Sequence, residues 1–187
     1  VDGIVRGIYK YQAAAQKRDL NAQLLASGVG VNWAIKAQKL LLEDWGVAAD
    51  IWSVTSWNEL RRDGLEVDRH NMMNPESPRT AYITTKLAGS VGPVIAVSDF
   101  MRAVQDQVAP WVANPFTSLG TDGFGLSDTR GALRRHFRVD AESIVVATLA
   151  ALVREGKVQV ATLRAALDKY ALHDIMAADP GNTEGSG

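Results

Sequence analysis

Short apolar runs alternate along the chain with stretches whose apolar residues recur every three or four positions, the pattern of a layered α/β domain. Residues 23–27 read as a first buried strand. Gly28-Val-Gly30 then turns the chain into a helix, with Asn32 as its N-cap. Ala34, Ala37, Leu41 and Trp45 keep the spacing of one buried helical face, and Gly46 stands where helices stop. Residues 50–55 are rich in β-branched and aromatic side chains and predict a second strand. Ser56-Trp-Asn-Glu59 is a capping box that opens a short helix. From Arg61 to Thr80 the chain is polar and carries Pro75 and Pro78, which predicts a long surface excursion used for function or intersubunit packing.

Residues 82–85 and 94–98 predict two further strands, the second apolar enough to be central. A helix follows over 99–109, with Asp99 as its cap, and residues 116–119 form the last strand. Helices are expected over 128–137, 141–154 and 157–172. Asp140 caps the second of these, and Glu142 suits its opening turn. Val145, Leu149 and Leu152 share one face there, as do Val160, Leu163, Leu167 and Tyr170 in the next helix. Residues 177–187 hold too few apolar groups to fold alone, so a polar tail follows a domain over 1–176.

Composition narrows the function classes. The 187 residues suit one domain with a full core, and a net charge of -1 gives no general attraction to nucleic acid or membrane. No apolar run approaches the roughly 20 residues needed to span a bilayer. Cysteine is absent, which excludes thiolate chemistry and fits a cytosolic protein. The first nine residues lack the pattern of a signal peptide.

Candidate chemistry is sparse. Ser27-Gly-Val-Gly30 has the strand-glycine-helix setting of a phosphate site, but Trp33 replaces the third glycine of a dinucleotide fingerprint. His70, His136 and His173 lie far apart, so no metal site can be argued from them. Ser98-Asp99 sits at a strand end, with no histidine nearby in sequence to complete a nucleophilic triad. Arg130, Arg134 and Arg138 recur every four residues and form a positive stripe, opposite a buried face of Leu133 and Phe137. That stripe suits an acidic partner surface or a solvated face. In Gly120-Thr-Asp-Gly-Phe-Gly125, Phe124 can plug the core, while Ser127 or Asp128 can cap the following helix. Asp122 alone cannot supply the oxygen ligands of a magnesium–diphosphate site, and no paired asparagines follow it.

The runs PVIAVSDFMRAVQDQVAPWV and SLGTDGFGLSDTR resemble one family, the homodimeric bacterial pyruvate decarboxylase (first) component of the pyruvate dehydrogenase complex. The resemblance extends over about 1–172 and is strongest at 93–140. Gln105 departs from it, standing where the family more usually has proline. The resemblance implies the C-terminal, transketolase-like domain: three αβα layers around a mixed, mainly parallel sheet of about five strands. It implies excision from a longer chain, with the missing initiator methionine as one sign. The whole enzyme uses thiamine diphosphate and magnesium to decarboxylate pyruvate and acetylate a lipoyl group of the dihydrolipoyl acetyltransferase component. Its catalytic motifs lie upstream, so the resemblance assigns no catalytic, cofactor or metal residue to this chain. The implied partners are the upstream domains and a second subunit, and Trp45, Trp52, Trp57 and Trp111 are expected to form apolar surface for them. Two alternatives stay open: a free-standing nucleotide- or anion-binding module, and the last domain of a transketolase or 2-oxoglutarate-decarboxylating enzyme.

Overall fold

Leu24 and Leu25 are both fully buried, yet they belong to different cores. Side chains alternate across a strand, so adjacent apolar residues require a sheet covered on both faces. In the computed structural model, which describes residues 1–177, five strands form that sheet among the described residues. They are β1 (Ile8–Gln12), β2 (Leu20–Ala26), β3 (Val47–Val54), β4 (Val94–Val97) and β5 (Phe116–Leu119), in the order β1-β3-β2-β4-β5. The edge strand β1 runs antiparallel to β3, and the other pairs are parallel.

The helices are α1 (Asp2–Val5), α2 (Gly30–Trp45), α3 (Trp57–Met73), α4 (Tyr82–Leu87), α5 (Arg102–Asp106), α6 (Arg130–His136), α7 (Ala141–Arg154) and α8 (Val160–Tyr170). Ala34, Ala37 and Leu41 of α2 and Ile144, Val145 and Leu149 of α7 pack with Leu24, Ile51, Ile95 and Val97. On the opposite face, Trp57 and Leu60 of α3 and Tyr82, Ile83 and Leu87 of α4 pack with Leu25, Trp52, Val94 and Ala96. The architecture is the expected three-layer, mainly parallel one.

Several local expectations fail for identifiable reasons. Residues 82–85 form part of α4, not a strand. The Tyr82 amide donates to Asp63 at 2.6 Å, so a carboxylate from another helix supplies the start signal. The strand that makes the fifth member is β1, whose lysine, tyrosine and glutamine side chains suit an exposed edge. The polar excursion is mostly helix, because α3 runs to Met73 on a narrow stripe of Trp57, Leu60 and Gly64. Gly64 lies inside α3, where the Trp111 ring would stand 2.4 Å from a Cβ at that position. Asn32 is not a cap, since α2 begins at Gly30 with no side-chain cap. Ser56 does cap α3, accepting from the Glu59 amide at 3.1 Å, while the Glu59 carboxylate pairs with Arg62 instead of closing the box.

The helix expected over 99–109 is shorter, with α5 followed by a 3-10 turn at Ala109–Trp111. In α8 the inward residues are Ala166, Leu163 and Tyr170, whereas Val160 is exposed. Burial pushes the Tyr170 phenol above its ordinary value; the indole N–H of Trp45 opposes that shift and Asp44, which accepts the phenol proton, adds to it. Of the four tryptophans expected at the surface, Trp45 and Trp111 are half-buried. Trp52 and Trp57 are buried, and their indole N–H groups donate to Gln23 and Ser27. Beyond Ala177, the expected tail lies outside the described residues.

Candidate functional site

From β2 the chain passes through α2 to β3 on one side, then returns to β4 on the other. Strand order therefore reverses between β2 and β4, and open α/β sheets bind ligands at the carboxyl ends of such strands. The 27–29 and 98–101 loops meet there. The Ser27 amide donates to the Val97 carbonyl at 3.2 Å, and a Cβ on Gly30 would stand 3.1 Å from that oxygen.

This turn does not offer the free amides that a phosphate needs. The N–H groups of Gly30, Val31 and Asn32 already donate to the carbonyls of Ser27, Gly28 and Val29. Ser98 is buried, and its hydroxyl accepts from the Phe100 amide. Asp99 does not cap α5.

The cap of α5 comes from the glycine-rich loop after β5. Asp122 accepts from the Arg102 amide at 2.9 Å and pairs with its guanidinium at 3.0 Å. Thr121 donates its amide to the Phe100 carbonyl and its hydroxyl to that of Asp99. Gly120 permits this approach, because a Cβ there would stand 2.4 Å from the Phe100 oxygen. Gly120, Thr121 and Asp122 thus latch the third loop onto the second. Gln105 reinforces the latch, since its buried amide donates to the Leu119 carbonyl.

Beyond the latch the loop turns outward. Phe124 is 94% exposed and plugs no core, and Leu126 is exposed beside it. Val29, Phe100 and Met101 are exposed on the same edge of the sheet. Neither Ser127 nor Asp128 caps α6. Thr129 does, accepting from the Ala132 amide at 3.3 Å, while Asp128 accepts from the Thr129 amide.

The arginine stripe is shorter than expected, because Arg138 leaves the helix. Arg130 is exposed at the first position of α6, and Arg134 lies over the Trp33 ring at 4.4 Å from its centroid. Burial, then the charge of Arg130, holds the Arg134 guanidinium below the ordinary arginine value. Arg138 lies past the helix end, at φ 57. Leu133 and Phe137 are half-buried and line an apolar cavity of about 210 Å³ with Val29, Trp33 and Arg134.

The inward residue of α6 is Arg135, which the sequence pattern missed. Its side chain is 2% exposed and pairs with Asp140, which is 0% exposed. It also donates to the Tyr170 carbonyl at 2.9 Å and approaches Glu142 at 3.5 Å. Lys36 of α2 reaches the other Glu142 oxygen at 3.5 Å. Gly131 and Ala132 are buried in the same helix. The five-residue step from Arg135 to Asp140 crosses a helix end, where no periodicity announces it.

A thiamine diphosphate–magnesium group does not fit the glycine-rich loop. The half-exposed Asp122 has both of its oxygens engaged by Arg102, which leaves none for a metal. Among the described residues, His, Cys, Asp and Glu form no group that could hold a metal ion. No helix among them is long and apolar enough to cross a membrane.

The sequence profile of the family described as transketolase-like TK C-terminal domain matches residues 7–140. The chain is 49% identical over 179 residues to the pyruvate dehydrogenase E1 component of Mycolicibacterium smegmatis, covering 95% of this chain and 19% of that protein. For the Mycobacterium tuberculosis protein of the same name the identity is 48%, over 98% of this chain and 20% of the relative. For that of Escherichia coli K12 it is 40%, over 90% and 19%. The chain therefore spans about a fifth of these relatives. Among solved structures, a transketolase from Leishmania mexicana shares the fold with a TM-score of 0.54 at 20% identity, over 82% of this chain and 19% of that one.

Proposed function

Because the chain belongs to the transketolase-like TK C-terminal domain family, we propose that it is the architectural C-terminal domain of a pyruvate dehydrogenase E1 component. The observation that carries this reading is the 49% identity maintained over 95% of the chain with a relative so named. In this reading residues 1–176 form the domain and 177–187 a tail. The parent enzyme is cytoplasmic and homodimeric, uses thiamine diphosphate and magnesium, and acetylates a lipoyl group of dihydrolipoyl acetyltransferase. Decarboxylation chemistry belongs to the remaining four-fifths of the parent.

The contribution of this domain is a rigid surface. The latch of Gly120, Thr121 and Asp122 holds two loops together at one edge of the sheet, and Phe124, Leu126, Phe100 and Met101 project from it. Apolar side chains grouped in this way suit contact with the upstream domains or the second subunit. The test is sedimentation velocity and acetyl-transfer activity of the parent enzyme with and without this domain. The truncated parent is expected to lose its stable dimer and its activity together. A truncated parent that stays dimeric and fully active would refute the architectural role.

A further inference from the structure

Arg138 ends α6 in a left-handed conformation, at φ 57. Its amide donates to the Arg135 carbonyl at 3.1 Å and the Val139 amide to the Arg134 carbonyl at 2.9 Å. Glycine normally fills this stop position, because a Cβ is strained there. Strain of this kind persists where the surrounding structure over-determines it, and it clusters at ligand sites. Ala171 shares the conformation at the end of α8 but carries no functional group.

Arg138 is exposed and lines an open pocket of about 220 Å³ with Arg102, Asp122, His136, Leu119 and Phe137. Asp122 is already neutralised by Arg102 at 3.0 Å. Among the described residues no ion pair or hydrogen bond engages the Arg138 guanidinium. The carbonyls of Leu133, Arg134 and Arg135 at the helix end accept from the amides of Phe137, Val139 and Arg138, so they present little uncovered negative charge. An exposed cation and an imidazole therefore share an open pocket with the partly buried Leu119 and Phe137.

We propose that this pocket binds a small oxyanion with a compact apolar body, the anion gripped by Arg138 and the body set against Leu119 and Phe137. Calorimetric titration of the full chain with phenyl phosphate and, separately, with benzoate tests it. At least one probe is expected to bind with a millimolar or tighter dissociation constant, and the tighter of the two identifies the headgroup as phosphate or carboxylate. Arg138→Gly should weaken binding at least about tenfold, as loss of a charge-assisted contact does. The same variant should melt no lower than the wild type, since glycine relieves the strained stop. Arg138→Asn, which also tolerates this conformation, serves as a second variant with an intact fold. Unchanged binding in both variants, or no binding of either probe to the wild type, would overturn the proposal.

Discussion

Replacing Asp140 with alanine is expected to lower the stability of the chain by about 3–5 kcal/mol, measured by urea unfolding. Asp140 and Arg135 are removed from water almost completely, at 0% and 2% side-chain exposure. With the carboxylate gone, the guanidinium stays buried beside Glu142, whose own charge is shared with Lys36. The Asp140 side chain also accepts from the Ser143 amide at 3.0 Å and so starts α7, the helix that covers one face of the sheet. Loss of a cap by itself costs about 1 kcal/mol. A measured loss below about 1 kcal/mol would mean that the network contributes no more than that cap.

Gly92→Ala is expected to cost about 3 kcal/mol or more, combining overpacking with a positive backbone angle. A Cβ at Gly92 would stand 1.8 Å from the Asn21 carbonyl oxygen and 2.4 Å from its carbon. Those atoms are backbone at the start of β2 and cannot swing aside. The Gly92 carbonyl itself accepts from the Asn114 amide at 2.8 Å. Gly89→Ala is the internal control. It shares a positive angle, φ 75, but nothing lies within 4 Å of its Cβ, so only the backbone cost of about 1 kcal/mol remains. Equal losses for the two variants in urea unfolding would refute the steric argument.

The layered α/β fold was legible because β2, β4 and the helices α2 and α7 carry their apolar residues at unambiguous spacings. Ala34, Ala37 and Leu41 fall where periodicity puts them, and Gly46 closes α2 in the left-handed conformation expected of it. Misreadings occurred where the deciding partner lies elsewhere in the chain. The start of α4 depends on Asp63 and that of α5 on Asp122, so local sequence names the wrong element or the wrong cap. Gly64 belongs to a helix because Trp111 occupies the space beside it. Arg135 carries no signal in the periodicity, since only the fold brings Asp140, Tyr170 and Glu142 around it.

The candidate site was half visible for the same reason. The glycine-rich signature marked the right loop and Asp122 within it, but not that Gly120, Thr121 and Asp122 fasten it to 99–102. Phe124 was expected inside because aromatic residues usually are, yet flanking glycines carry it into solvent. The regular spacing of Arg130, Arg134 and Arg138 implied one surface. Termination of α6 at His136 leaves Arg130 and Arg134 as neighbours and separates Arg138 from them.

The most direct measurement is calorimetric titration of this chain and of its full-length parent with thiamine diphosphate and magnesium, with pyruvate decarboxylation assayed in parallel. The parent is expected to bind the cofactor and turn over, and this chain to give no binding heat and no product. Micromolar binding with turnover by this chain alone would contradict the account of an architectural domain.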